Sequence, residues 1–452
     1  MSFTPRQLHD AIRDCSDSLS IAPKCYWVAF SGGMDSHVLL HALSVCRSEL
    51  SVELKAVHVN HGLQSASQAW SKHCQLICQE LDIPLTVITV DATAAKGESP
   101  EAAARDARYA AFSELIGEAD VLLTAQHERD QAETIFLQLL RGAGTRGLSA
   151  MPLVADLGEG HLCRPLLDIS YHALQDYATT HNLQWIEDPS NQQCRFDRNL
   201  LRHEVLPRFR ERWPSLDATV SRVASHQAEA QQLLIELAEQ DSDGLLDTNN
   251  SLAMNDLKKL SAARQRNVLR YWLSQQGMNL PSARQLSQLQ HDMFNAAVDR
   301  NPCIAWQGVE VRRYRERLYA MRPLAEFDAN LRFEWQPGED LVLPRLAGTL
   351  LSRPVTGHGI SLDNHVGNQM ELRFRLGGEN CRPQGKKHHT SLKKLFQKAG
   401  IPPWQRNRTP LIYVDDELAA VPGLCICEPF AASGEMTGFE LDWRPLSKHR
   451  NI

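Results

Sequence analysis

Short apolar runs alternate with helically spaced apolar positions through the first half of the chain. Tyr26-Trp27-Val28-Ala29-Phe30 is one run; Leu54 to Val59, Leu85 to Val90 and Val121 to Thr124 are three more. Between them, Val38, Leu39, Ala42 and Leu43, then Leu76, Ile77 and Leu81, then Ala103, Ala107, Ala110 and Leu115 fall on single helical faces. Strands recurring about every thirty residues with helices between them predict βαβ units and a parallel sheet. Runs that are apolar throughout, rather than alternating, suit a sheet covered on both faces. The expected fold class is therefore α/β, a doubly wound parallel sheet.

The pattern changes near Arg210. Leu216, Val220, Val223, Ala230, Leu234 and Leu237 form one helical stripe. Further helical stretches are expected at 252–276 and 282–296, with a small strand pair near 325. A Pro- and Gly-containing stretch from Pro337 to Gly359 precedes a β-rich, basic end. The expected domains are an α/β domain at 1–215, a helical middle domain at 216–325 and a small α+β domain at 326–452. No internal repeat or low-complexity tract interrupts them.

Composition changes this picture little. The chain is 43% hydrophobic and 23% charged, ordinary for a soluble globular protein. No apolar run has transmembrane length, and the first residues lack the basic-then-apolar order of a secretory signal. A cytoplasmic location is expected, and eleven cysteines without a C-x-x-C pair are expected to be free, mostly buried thiols. Charge is more informative in its distribution than in its sum. The net charge is −6, yet residues 371–410 hold ten Lys or Arg against two Glu, a local +8 on a body of −14. Such a module is the footprint of a polyanion site, or simply a solvated basic face.

The sharpest chemical signal is Ser31-Gly32-Gly33-Met34-Asp35-Ser36, directly after the first apolar run and directly before a helix. Two glycines permit close backbone approach. Successive N–H groups then converge at a helix N-terminus, where the helix dipole favours an anion such as phosphate. Ser31 and Ser36 add hydroxyl donors. Asp35 would repel phosphate directly, so its sensible task is to hold Mg2+. The plainer reading is a Gly-Gly turn capped by Asp35 or Ser36. No G-x-x-x-x-G-K-[ST] occurs, and Gly142-Ala143-Gly144-Thr145-Arg146-Gly147 follows a helix rather than a strand, which disqualifies it as a dinucleotide loop.

Four further clusters follow this loop along the chain. His58 and Asn60 end the second strand, where they can flank a nucleotide or act as satisfied strand-end polar groups. Arg105 and Arg108 share a helical face, suited to clamping phosphates or to surface pairing, for example Glu101 with Arg105. His127, Asp130, Glu133 and Thr134 project from one side of a helix that follows the fourth strand. The carboxylates there can bind an ammonium group or Mg2+, or merely cap the helix, and His127 can move a proton near neutral pH. Last, Trp185-Ile186-Glu187-Asp188-Pro189-Ser190-Asn191 forms a turn, followed by Arg195, Arg198 and Arg202, which suit phosphate contacts.

The S-G-G-M-D-S loop resembles that of the PP-loop ATP pyrophosphatases, which cleave ATP between the α and β phosphates and transfer AMP to a substrate oxygen. Taken with H-V-N-H-G at 58–62, E-A-A-A-R-x-A-R-Y at 101–109, the H-x-x-D-Q-x-E-T helix, R-P-L-L at 164–167, W-x-x-D-P-S-N and R-N-x-x-R, it resembles the tRNA(Ile)-lysidine synthetases. L-G-G-E-N-C-R-P and S-L-K-K-L-F-Q-K-A-G-I-P-P-W-Q-R are similar to that family's C-terminal tRNA-binding domain. The resemblance implies ATP-dependent adenylation of the C2 oxygen of the wobble cytidine in the isoleucine tRNA with a CAU anticodon. Attack by the ε-amine of free L-lysine on C2 then expels AMP. It also implies that residues 31–36 hold pyrophosphate and that Asp35 holds Mg2+. Asp130 and Glu133 would bind Mg2+ or the lysine ammonium, with Arg105 or Arg108 and Arg198 or Arg202 lining the reaction site. A homodimer is a candidate assembly. Relatives often carry a second His and a second Asp in the fourth cluster, where this chain has Gln126 and Arg129. Phe396 and Trp404, set among Lys and Arg, suit contact with a folded RNA.

Three other readings compete. A tRNA thiolation enzyme would share the loop but usually needs reactive or cluster-binding cysteines, often as C-x-x-C. A small-molecule amidating ligase would not need the basic C-terminal module. A non-catalytic RNA binder would leave Asp35, Asp130 and Glu133 purely structural.

Overall fold

The computed structural model describes residues 2–19, 21–50, 52–62, 67–93, 100–188, 193–297, 300–343, 348–361 and 370–445. The chain divides into two compact units, Met1–Gln240 and Asp241–Ile452.

The first unit is built on a six-stranded sheet: β1 (Cys25–Ala29), β2 (Glu53–Asn60), β3 (Leu85–Thr89), β4 (Asp120–Leu123), β5 (Val154–Leu157) and β6 (Gly160–Cys163), in the order β3-β2-β1-β4-β6-β5. All pairings are parallel except that of the edge strand β5 with β6. This is the expected doubly wound sheet, with a terminal hairpin that periodicity does not foretell. Both faces are covered. Tyr26, Val28 and Phe30 enter one apolar layer with Leu54, Ala56, Val121 and Leu123. Cys25 and Trp27 enter the opposite layer with Val57, Leu122 and Leu162. Burial on both sides of an alternating strand is why these segments read as continuous apolar runs. Strand order reverses at β1 and β4, and the crevice beyond their carboxyl ends is where such sheets receive ligands.

Two expectations need correction in this unit. Cys15 and Cys163 form a disulfide between the helix Pro5–Leu19 and β6, 148 residues apart in sequence. The other nine cysteines are free, and six of them are buried. The helix Leu216–Ser242 exists, but Val223 is exposed; Ser221, Ala224 and Ala238 are among its buried positions. Small residues are the covered positions there, and the apolar periodicity overstates how much of the stripe is covered.

The second unit has two separate cores. One packs the helices Ala262–Gln275 and Ala283–Asn295 against a sheet of β7 (Leu252–Ala253), β8 (Cys303–Trp306), β9 (Val309–Tyr314) and β10 (Arg317–Met321). The sheet order is β7-β10-β9-β8, so four antiparallel strands replace the expected pair. Ser261 starts the first of these helices and a Ser282–Gln285 capping box the second, satisfying N–H groups that a helix start leaves free.

The other core lies among β11 (Arg332–Glu334), β12 (Leu341–Leu343), β13 (Gly348–Thr356), β14 (Met370–Phe374), β15 (Asn380–Cys381), β16 (Thr390–Ser391), β17 (Pro410–Val414), β18 (Glu417–Val421), β19 (Cys425–Ile426) and β20 (Thr437–Pro445). They form three sheets: β11-β14-β17-β18-β19, β12-β13-β20 and β15-β16. The stretch from Pro337 to Gly359 thus carries strands β12 and β13. Phe396 is fully buried in this core, and Trp404 packs edge-on against Tyr314 and Tyr319. Neither ring is the exposed stacking platform that its basic neighbours suggest.

Candidate active site

The phosphate-type loop leaves β1 and enters the helix Met34–Val45. Gly32 has φ +84°, and a Cβ there would lie 3.1 Å from Cys74 Sγ, so conformation and space both select glycine. Gly33 occupies the helix N-cap without any side-chain cap. The first-turn N–H groups therefore stay available for an incoming anion. The serines brace the loop from within: Ser31 Oγ lies 3.0 Å from Ser36 Oγ, and Ser36 Oγ donates to the Gly33 carbonyl at 3.0 Å. Ser31 Oγ accepts from Gly33 N–H at 3.3 Å. Asp35 Oδ1 is shielded from solvent and has no hydrogen-bond partner.

A second segment straps the loop down. Ile186 N–H donates to the Gly32 carbonyl at 2.9 Å, and His37 Nδ1 lies 2.7 Å from the Gln184 carbonyl. Burial lowers the proton affinity of His37, and the bond to Gln184 partly restores it. Sequence reasoning places Ile186 in the fifth cluster but does not single out His37 or Gln184. Their signal is the adjacency of Trp185 to a motif; the turn residues Pro189, Ser190 and Asn191 lie outside the described residues.

The fourth cluster meets this loop because β4 is the neighbour of β1. His127 and Asp130 form a capping box at the start of the helix Glu128–Leu140: His127 Nδ1 accepts from Arg129 N–H at 3.2 Å, and Asp130 Oδ2 accepts from His127 N–H at 3.1 Å. That cap occupies the Nδ1 lone pair and leaves Nε2 facing two carboxylates, 3.6 Å from Asp35 and 3.5 Å from Asp130. Burial pushes His127 toward neutrality, but the charges of Asp130 and Asp35 prevail and hold its proton affinity above the ordinary value. Protonation at Nδ1 would forfeit the cap bond.

One turn further along, Glu133 is fully buried. Three hydrogen bonds satisfy it: Arg202 Nε to Oε1 at 2.6 Å, Arg202 Nη2 to Oε2 at 2.8 Å, and Arg198 Nε to Oε2 at 2.8 Å. The same guanidiniums reach Asp130 Oδ1, at 2.8 Å from Arg198 and 3.2 Å from Arg202. Carboxylates three apart on one helix face arginines four apart on another, so two pairs interlock. The arginines straddle the junction between the helix Asp197–Leu200 and a π-turn over Leu201–Val205, a local form frequent at functional sites. Burial opposes the charge on Arg202, yet Glu133 and Asp130 outweigh it and keep the guanidinium more firmly protonated than usual.

Arg108 behaves differently. Among the described residues it makes no hydrogen bond or ion pair, although it is half-buried. Burial weakens its hold on its proton; Tyr109 opposes that effect, while Arg105 and Arg198 add to it. A partly buried cation beside other cations is primed for an anion. Arg105 is exposed and lies over the Tyr109 ring, with its guanidinium carbon 4.8 Å from the ring centre. Arg129, which stands beside Asp130 in this chain, lies 3.9 Å over the Tyr171 ring. His58 and Asn60 point to protein partners: His58 Nδ1 lies 2.9 Å from the Phe30 carbonyl just before the loop, and Asn60 bonds Ser71 and Gly62.

Asp35, His127, Asp130, Glu133, Arg198 and Arg202 thus form one connected cluster at the switch point of the sheet. Among the described residues no group of three or more His, Cys, Asp or Glu is arranged to hold a metal ion by itself. The unpartnered Asp35 Oδ1 nevertheless fits Mg2+ of the kind that takes one or two carboxylates and completes its shell with phosphate and water.

Three family models match the chain: a PP-loop domain over residues 5–209, a TilS substrate binding domain over 252–319 and a TilS substrate C-terminal domain over 370–443. A tRNA(Ile)-lysidine synthase of Coxiella burnetii is 45% identical over 98% of this chain and 97% of its own length. Those of Methylococcus capsulatus and Serratia proteamaculans are 40% and 42% identical, over 93% and 92% of this chain and 96% and 95% of theirs. With the loop, the acidic–basic cluster and both C-terminal modules in the same order, this chain belongs to the tRNA(Ile)-lysidine synthase family.

Proposed function

We propose that this chain ligates free L-lysine to C2 of the wobble cytidine of tRNA(Ile) with a CAU anticodon, using ATP and releasing AMP and pyrophosphate. The observation that carries this reading is an uncapped, glycine-led helix N-terminus beside a buried carboxylate–arginine cluster in one crevice. In the first step the C2 oxygen attacks the α-phosphorus and the bond to pyrophosphate breaks. In the second the lysine ε-nitrogen attacks C2 and the bond to the AMP oxygen breaks.

Geometry supports the residue assignments. Residues 31–36 receive the pyrophosphate at the first-turn N–H groups of Met34, Asp35 and Ser36, with Ser31 and Ser36 holding the loop in shape. Asp35, with Asp130 as second ligand, would hold Mg2+, which when bound neutralises phosphate charge. His127 donates toward Asp35 and Asp130 and fixes their orientation. Arg108, unpaired among the described residues, and Arg105 face the phosphates or the RNA backbone. Glu133 and Asp130 are the candidate partners of the lysine ammonium, and Arg198 and Arg202 hold both carboxylates in position through the bonds that interlock the four side chains. His58 and Asn60 support the nucleotide side of the loop through Phe30 and Gly62.

The assigned domain limits are 1–215, 216–325 and 326–452; the two separate cores of the second unit support the last boundary. Lys386, Lys387, Lys393 and Lys394 are all exposed and suit tRNA phosphates. No described helix is long and apolar enough to cross a membrane, and the enzyme is assigned to the cytoplasm, where its tRNA is.

The test is transfer of radiolabelled lysine to unmodified tRNA(Ile) bearing the CAU anticodon, with ATP and Mg2+, for wild type and Asp35→Asn. Label should enter the RNA with ATP and vanish in the variant while tRNA binding persists. ATP cleavage to AMP and pyrophosphate with another acceptor only would retain the loop chemistry and overturn the lysine assignment.

A further inference from the structure

Three thiols gather in the second unit. Cys381 ends β15, Cys425 begins β19 and Cys427 follows it. Backbone bonds draw these segments together: Gln384 N–H donates to the Ile426 carbonyl at 2.9 Å, Glu428 N–H to the Arg382 carbonyl at 2.8 Å, and Pro383 bridges Cys427. The Cys381 and Cys425 sulfurs lie 3.9 Å apart. A disulfide needs about 2.05 Å, a gap that side-chain rotation and a small backbone adjustment can close. Cys381 and Cys427 are buried and Cys425 is half-buried. None of these thiols is among the residues assigned to adenylation.

We propose that Cys381 and Cys425 are a reversible oxidation site that forms an intramolecular disulfide with a peroxide as oxidant. The Cys381 thiolate attacks a peroxide oxygen, the O–O bond breaks, and hydroxide leaves; sulfur is oxidised to the sulfenic acid and the peroxide is reduced. The Cys425 sulfur then attacks the sulfenic sulfur, the S–O bond breaks, and the departing oxygen leaves as water with the Cys425 proton. A dithiol reductant returns both thiols by exchange. The choice of Cys381 as attacking sulfur rests on its surroundings. Cys381 is the thiol that both neighbours adjoin; hydrogen bonding with Cys425 and Cys427 and the His389 charge favour its anion against burial and lower its proton affinity below that of an ordinary thiol. Cys425 and Cys427 are correspondingly held protonated.

The site has a consequence for the basic module. The chain runs from Cys381 directly into Arg382, Lys386 and Lys387, in a turn held by Gly385 N–H to Glu428 Oε2 at 2.7 Å. The disulfide adds a covalent tie at the root of that turn.

The test treats the full-length chain, with exposed Cys303 changed to Ser, with hydrogen peroxide, then blocks free thiols and maps peptides. The expected product is one reducible link between the peptides holding Cys381 and Cys425. In Cys425→Ser the reaction should stop at a sulfenic acid on Cys381 that a dimedone probe traps, and Cys381→Ser should give neither product. Circular dichroism of each variant checks folding. Alkylatable Cys381 after peroxide treatment, a link to Cys427 instead, or a tightly bound zinc or copper ion on these thiols in the purified protein would each overturn the proposal.

Discussion

Glu133→Gln tests whether the buried cluster is as tightly built as its distances imply. The substitution keeps the shape of the side chain but removes its charge. It also presents an amide N–H2 to guanidinium donors, so at least one of three hydrogen bonds, of 2.6, 2.8 and 2.8 Å, becomes a donor–donor contact. Arg198 and Arg202 then share only Asp130. Removing one partner of a buried ion pair costs about 3–5 kcal/mol. The arginine side chains are 23% and 32% exposed, so water recovers part of this, and about 2–3 kcal/mol is the expected loss. For a unit the size of Met1–Gln240, about 2–4 °C per kcal/mol applies, giving a fall of about 4–12 °C in its melting transition. Differential scanning calorimetry of the whole chain would resolve that transition from the second unit's. The cycle with Arg202→Ala should show coupling of at least about 1 kcal/mol, because the side chains are in direct contact. A Glu133→Gln protein that melts within a degree of wild type, with additive effects in the cycle, would refute the reading of a satisfied buried network.

Gly32→Ala places a side chain at φ +84° and 3.1 Å from Cys74 Sγ; it should cost about 1–2 kcal/mol and raise the KM for ATP severalfold, and an unchanged KM in ATP–pyrophosphate exchange would contradict the loop geometry. Changing Lys386, Lys387, Lys393 and Lys394 to Gln should weaken tRNA binding and flatten its salt dependence by up to about 0.9 in log–log slope for each phosphate no longer neutralised, and an unaltered slope would make the patch a solvated face. Burial lowers the proton affinity of His41, with His181 and His37 adding repulsion, and burial likewise lowers that of His58 against the pull of the Phe30 carbonyl. Their neutral forms are favoured only in the folded chain, so their contribution is complete above the ordinary value of 6.5 and is lost as pH falls through their folded values. Melting temperatures measured between about pH 7.5 and 5, the range in which histidine titrates, should fall, and His41→Gln should flatten that fall; an identical slope in the variant would sink the assignment.

The sheet and the loop are legible in the residues alone. Four apolar runs with helical spacing between them mark β1 to β4; β1 and β4 read as continuous because both their faces are covered, whereas the half-buried edge strand β3 mixes Thr with its apolar residues. The loop is legible because a glycine pair between a strand and a helix has few other uses. The lysine-rich segment 371–410 is legible as charge, but not which of its aromatics are free: Phe396 lies in the core because the helix Leu392–Lys398 turns that face inward. Which distant residues meet is settled only when the segments pack. Strand order sets the fourth cluster beside the loop, since β4 pairs with β1 although two strands and three longer helices separate them in the chain. Arg198 and Arg202 reach Asp130 and Glu133, Ile186 straps Gly32, and Cys15 finds Cys163. Local periodicity records how each segment is buried, but pairing between segments depends on the packing of the whole unit, and no single segment carries it.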